Sequence, residues 1–244
     1  MIVKYCEEGW EIISHYTHGL LAGKIAQRLS VELRPNFWID VLTAIIEHDD
    51  HLQEFDEQNY LTDNGTPLDY KMSSGTAEDS LKHSKRVASN AEQKSQLVAL
   101  LVGHHLEYLY KSLAKEFKPM YTFLDFIRNK RKQQRDLYNL SKSETKDIYD
   151  LLLFCDRLSL ILCQNQIPTG NRQLEINSTI NGKTYYIKQM DTGICIEPWC
   201  FEESGFKLEF EYRLVNQPTF ENNKELKGSL EKAAIELRQL KFLK

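Results

Sequence analysis

The apolar residues of this chain keep one period through most of its length and then change it. Up to about residue 165 they recur at helical spacing. Segment 9–30 carries Trp10, Ile13, Leu21, Ile25 and Leu29 in this way, with Pro35 soon after its end. Segment 36–50 follows Pro35 and shows an apolar face of Val41, Ala44 and Ile45. Further helices are expected over 76–90, started by Thr76 and Glu78, and over 93–116, ending before Pro119. A basic helix over 120–138 and a strong one over 143–164, with Ser143 as its N-cap, complete the run. Between the second and third helices, residues 56–75 are rich in Asp, Asn, Gly and Ser and read as a long surface loop of the kind that often serves as a lid.

After Pro168-Thr169-Gly170 the period becomes two. The stretches QLEINSTINGKTYYIKQM, GICIEPWCF and FKLEFEYRLV read as strands, and Asn181-Gly182 is a hairpin signal between Ile180 and Lys183. Phe206, Leu208, Phe210, Tyr212 and Leu214 alternate onto one face. Residues 221–242 read as a return to helix, with Leu226, Leu230, Ala233, Leu237 and Leu240 on one stripe.

Charge and composition exclude several classes. Lys+Arg number 31 against Asp+Glu 35, a net charge of −4, so no strongly basic field is available to draw nucleic acid. A chain that is 41% hydrophobic and 27% charged is neither disordered nor fibrous. No apolar run approaches the ~20 residues of a membrane-spanning helix, and MIVKYCEEGWEII has no signal-like apolar region. The five cysteines include no CxxC pair and are expected as reduced thiols in a cytoplasmic protein.

The histidines carry the chemistry. All seven fall within the first 105 residues. His18 shares a helix face with Leu21, Ala22 and Ile25; His48 with Val41, Ala44 and Ile45; His104 with Leu97, Leu100 and Leu101. His105 also stacks over Leu101, and Asp156 sits among Tyr149, Leu152, Leu153 and Leu160. A lone histidine in such a stripe is more often a hydrogen-bonded core residue than a ligand. Four helices with the same anomaly point instead to a shared cation, because a buried carboxylate normally needs an opposite charge or a metal. Imidazole and carboxylate together suit iron, manganese, nickel or zinc.

The order His18 … His48-Asp49 … Asp156 resembles the HD-domain superfamily of metal-dependent phosphohydrolases. THGLLAGKIAQRL, VLTAIIEHDD and LLLFCDRLSL resemble its three ligand-bearing helices, so the resemblance covers roughly residues 10–165. His83, His104 and His105 fall where binuclear members carry extra ligands. The layout is also similar to an uncharacterised bacterial family of HD-like proteins with a C-terminal β unit. Two departures stand out. The glycine and lysine that often follow HD are replaced by Asp50-His51-Leu52, and the glycine and tryptophan of the bacterial family are missing too.

The resemblance implies an α+β protein: a mainly α-helical HD-like core over 1–168, then 169–244 as a small antiparallel β-meander and a terminal helix packed on it. It implies a divalent transition metal, one or two ions, held by His18, His48, Asp49, His83, His104, His105 and Asp156. It implies hydrolysis of a nucleotide or small phosphoester by a metal-activated water, with Asp49 and His51 as catalytic residues and His51 standing in for the missing lysine. The alternatives are a di-iron oxygenase and a regulatory module that binds a metal or nucleotide without catalysis. The expected partner is a small phosphorylated substrate, with no nucleic acid and no membrane; a homodimer stays open. His15, Lys82, Lys85 and Arg86 are secondary candidates for substrate contacts, and Glu47 and Asp150 for orienting ligands.

Overall fold

The computed structural model describes residues 1–49, 59–72, 75–170 and 172–244. Among these, the chain opens with two short strands, β1 (Ile2–Cys6) and β2 (Gly9–Ile13). Then come α1 (His15–Arg28), α2 (Trp38–Glu47), α3 (Ala77–Lys94), α4 (Gln96–Tyr110), α5 (Leu113–Glu116), α6 (Lys118–Leu137) and α7 (Lys142–Cys163). Strands β3 (Gln173–Ile180), β4 (Lys183–Met190), β5 (Gly193–Glu197) and β6 (Gly205–Val215) follow, and α8 (Asn223–Lys232) and β7 (Ala234–Leu243) end the chain.

The seven strands form one sheet in the order β1-β2-β6-β7-β5-β4-β3, curled and mixed, with β5 and β7 parallel. This corrects the expected fold class. The sheet is not a small C-terminal meander beside a mainly helical core: it takes strands from both ends of the chain, and β7 enters between β5 and β6.

Two segments account for the difference. The helix expected over 9–30 starts only at His15. Before it, Gly9 at φ 132° turns β1 back onto β2, and Ser14 then caps α1 by accepting from the Thr17 amide. The helix expected over 221–242 stops at Lys232. The remaining residues become β7, which pairs with β6 in unbroken antiparallel register from Gly205↔Leu243 to Leu214↔Ala234. The long edge of β6 thus overrides a local leucine stripe, because ten paired residues satisfy backbone groups that a helix would satisfy only within itself.

Other local signals act as read. Thr76 forms a capping box with Asp79 at the start of α3. The box at α7 uses Ser141 with Glu144 rather than Ser143. Asn181 and Gly182 take φ 53° and 74° in the β3–β4 hairpin, the left-handed pair that such a turn requires. The loop expected over 56–75 lies partly outside the described residues. Its described stretch 59–72 holds a bridge between Leu61 and Pro67 and a short 3-10 turn at Tyr70–Met72.

One face of the sheet covers the helices. Ile13, Phe206, Leu208, Phe210 and Phe242 join a single core with Leu21, Ile25, Leu101, Leu152 and Phe154. The opposite face, at the β1-β2-β6 end, is covered by α8 through Leu226 and Leu230 against Ile12, Val215 and Phe220. Within the helical layer α1 packs on α2 and α7. Gly19 and Gly23 set the α1–α2 spacing: a Cβ at Gly19 would lie 2.2 Å from the Ile46 carbonyl oxygen, and one at Gly23 2.5 Å from Ile46 Cγ1. No helix among the described residues is long and apolar enough to cross a membrane.

Candidate metal centre

Three of the helices that surround the core each deliver one polar side chain to the same point. His18 comes from the second turn of α1, His48 caps the C-terminus of α2, and Asp156 lies midway along α7. All three are buried. One ligand atom from each lies within 4.8 Å of the others, the only such group of three among the described residues. The close approach of α1 to α2 at Gly19 brings the first two together, since Gly19 adjoins His18 and Ile46 precedes His48 by two residues.

Hydrogen bonds behind the rings fix their tautomers. His48 Nδ1 lies 2.7 Å from the Ile45 carbonyl, which can only accept, so Nδ1 carries the hydrogen. Ser159 donates its hydroxyl to the Asp156 carbonyl at 2.8 Å, so its oxygen accepts from His18 Nδ1, also at 2.8 Å. In the neutral form of each ring the lone pair then sits on Nε2, and both Nε2 atoms stand 3.2 Å from Asp156 Oδ1. Two lone pairs facing one carboxylate oxygen repel unless a cation lies among them.

A proton meets that need only in part. Burial works to lower the pKa of His48, but the charge of Asp156 and its hydrogen bond outweigh it and raise the imidazole to about 9. Burial likewise works to raise Asp156, and the charge of His48 beside it holds the carboxyl well below the usual range. One proton on His48 then bonds to Asp156, while His18 Nε2, fully buried, is left without a hydrogen-bond partner. A metal ion would satisfy all three donors. Two imidazoles and a carboxylate are a common ligand set for zinc and for iron, and the hydrogen-bonded Nδ1 atoms are the outer support that metal-bound histidines usually have. The His18–His48–Asp156 cluster can thus hold a metal ion, and its donors do not select which.

The other expected ligands stand around this trio. The His105 ring meets the His48 ring edge-on at 4.8 Å, with its Nδ1 3.4 Å from the Tyr149 hydroxyl. Burial and then the charge of His48 lower its pKa to about 4, so it is neutral at neutral pH. His104 turns away towards α6 and lies over Tyr149 at 5.5 Å. Burial and then Arg131 lower it to about 4. Adjacent residues on a helix point about 100° apart, so only His105 reaches the trio. Asp49 lies 2.9 Å from His15 Nδ1. That pair and the buried His83 line a pocket of about 350 Å³, shared with Tyr70, Ser80 and Tyr110. His51 lies outside the described residues. Lys82, Lys85 and Arg86 are on α3 but are not among the pocket's described lining residues. Glu47 pairs with Lys94 at 2.6 Å, and Asp150 pairs with Lys146.

Ser159 is the site residue that sequence reasoning missed. Its signal was present: it lies three residues after Asp156, on the same face of an otherwise apolar run. The five cysteines are all free thiols, four of them buried in the core.

The resemblance to the HD-domain superfamily, and to an HD-like family with a C-terminal β unit, does not hold. A curled seven-stranded mixed sheet built from both ends of the chain stands where a mainly helical core was expected, and the family match is to a different description. No curated protein matches the chain, and no solved structure matches it. A family model described as "Protein of unknown function (DUF3891)" matches residues 1–217, and the chain belongs to that family.

Proposed function

We propose that the protein is a metal-dependent hydrolase that acts on a small phosphoester in the pocket beside His15, Asp49 and His83. The observation that carries this reading is the paired aim of His18 Nε2 and His48 Nε2 at one oxygen of Asp156, with both rings held from behind. These three residues would hold one divalent ion. When bound, such an ion supplies Lewis-acid polarisation of a phosphoryl oxygen and lowers the pKa of coordinated water.

The chain's own groups serve the rest of the reaction. Asp49 accepts the Nδ1 hydrogen of His15, so an imidazole oriented by a carboxylate stands in the pocket wall, an arrangement suited to taking up and returning a proton. His83 stands across the same pocket as a donor for a substrate oxygen. Apolar burial behind the trio excludes water from the back of the site, where a second solvent molecule would compete for the metal.

Elemental analysis of protein made in metal-replete medium tests the first half of the proposal. About one transition-metal ion per chain is expected, and Asp156→Ala should reduce it to background. Protein that stays metal-free sinks the reading. A screen of phosphomonoesters and phosphodiesters with added Mn²⁺, Fe²⁺, Ni²⁺ or Zn²⁺ tests the second half, and His48→Ala should abolish any hydrolysis found. Background rates with every metal overturn the hydrolase assignment. Bound iron with oxygen consumption would move it to an oxidative enzyme, since two histidines and one carboxylate also serve iron oxygenases.

A further inference from the structure

Among the described residues several strand edges lack a continuous partner, and three of them are treated differently. At one end β1 is only five residues long. At the other, β3 loses its register with β4 between Glu175 and Thr179. Short length and bulges are two ways in which proteins keep sheet edges from pairing with other chains. The third edge is internal. β7 pairs with β6 over ten residues, but on its other side β5 meets it only at Ile194↔Phe242. Residues 234–240 therefore present a strand edge for which the described residues supply no ladder partner. No proline or register shift interrupts it. Ile235 and Leu237 stand 55% and 56% exposed on the outer face.

We propose that this edge of β7 is a two-fold interface between copies of the chain, centred on Leu237. The occupant follows from the charge pattern. An antiparallel pairing about Leu237 sets Glu236 opposite Arg238 of the second copy, twice, and places Leu237 against Leu237. Ile235 then meets Gln239, and Ala234 meets Leu240. Moving the axis one residue either way sets Glu236 against Glu236 or Arg238 against Arg238, and like charges directly opposite are destabilising. The sequence AIELRQL is thus complementary to itself in one register. Both side chains also have partners within the chain, on the β6 side of β7: Glu236 accepts from the Tyr212 hydroxyl at 2.8 Å, and Arg238 donates to Glu11 at 2.8 Å. Pairing would satisfy the edge amides and carbonyls, cover the two exposed aliphatic side chains, and join two curled sheets through their β7 strands. The interface lies beyond residues 1–217 and apart from the metal centre, so it does not depend on the proposed reaction.

Sedimentation of the full chain at roughly 100 µM, the range in which weak dimers are populated, should give twice the 28.6 kDa chain mass. Leu237→Lys should return it to the single-chain mass with an unchanged circular dichroism spectrum, because the side chain is on the outer face. Leu237→Cys supplies the positional test. Residues on the axis of an antiparallel pair have Cα atoms about 4.5–5.5 Å apart, within disulfide reach. Mild oxidation should therefore crosslink this variant, whereas Tyr5→Cys on the β1 edge should stay single. A wild-type chain that sediments as a monomer overturns the proposal. So does a dimer that survives Leu237→Lys and fails to crosslink through Leu237→Cys.

Discussion

The helical layer and the sheet each bury a large apolar surface, yet they treat polar groups in opposite ways. Among the described residues the buried polar side chains are His15, His18, His48, His83, Ser84, His105, Gln134, Thr145, Asp156 and Ser159, and every one lies on a helix or at its end. The buried side chains of the strands are mostly apolar, among them Ile13, Ile176, Ile187, Phe206 and Phe242, and the Glu11–Arg238 pair is only half-buried. The difference follows from the two geometries. A helix satisfies its own backbone and can turn one polar residue per stripe towards a partner on a neighbouring helix. A curled sheet that wraps a core offers only alternate side chains inward, and a polar one there would meet only the apolar flank of a helix. The sheet is thus a wall, and the helices carry the chemistry.

The sharpest way to break this division is to damage the wall. Phe242 is fully buried and stacks on Phe206 at 4.9 Å. Phe242→Ala should cost about 3–5 kcal/mol in denaturant unfolding, while elemental analysis at low temperature still finds the wild-type metal content. A metal content that falls together with stability would show that the sheet holds the site in shape.

A smaller effect belongs to the helices alone. His104 has its folded pKa lowered by burial and by Arg131 to about 4, against 6.5 unfolded. Its neutral form is the one the fold favours, so its contribution is fully present above pH 6.5 and is lost as pH falls towards 4. The loss should reach about 3 kcal/mol. His104→Gln should flatten the fall in melting temperature between pH 6.5 and 4. An unchanged slope would mean that His104 is solvated.

The smallest change isolates one hydroxyl. Ser159→Ala removes the acceptor that holds His18 Nδ1. Chelator competition should show metal affinity reduced by about 10–100-fold, the usual effect of losing such a support. Equal affinity in the variant would sink the tautomer argument for the trio.

How much of this could be read in the sequence depended on whether a signal was local. His18, His48 and Asp156 were legible because each is polar within an apolar helical stripe, and the structure brings them together. The Asn181-Gly182 turn was legible because the conformation it needs is written in two residues. β1 and β2 were not: five-residue strands are too short to separate a period of two from the start of a helix, and Trp10 and Ile13 fit both. β7 was not legible for another reason. Leu237 and Leu240 extend the α8 stripe, and only the waiting edge of β6, 22 positions earlier at Arg213↔Ile235 and 38 at Gly205↔Leu243, makes the strand the better state. Resemblance of motif order suggested a whole fold, but three ligand-bearing helices say nothing about what encloses them.

Gly19 gives this fold an unusual point of control. The distance between the two imidazoles is gauged by an absence, a missing methyl group between α1 and the Ile46 carbonyl. Metal–ligand bonds tolerate only about 0.2 Å of error, while a methyl group wedged into that contact would move the helix much further. An alanine at this position would leave every donor its identity and still spoil the spacing that a metal ion would need. The site would therefore depend on a residue with no side chain as well as on the histidine next to it.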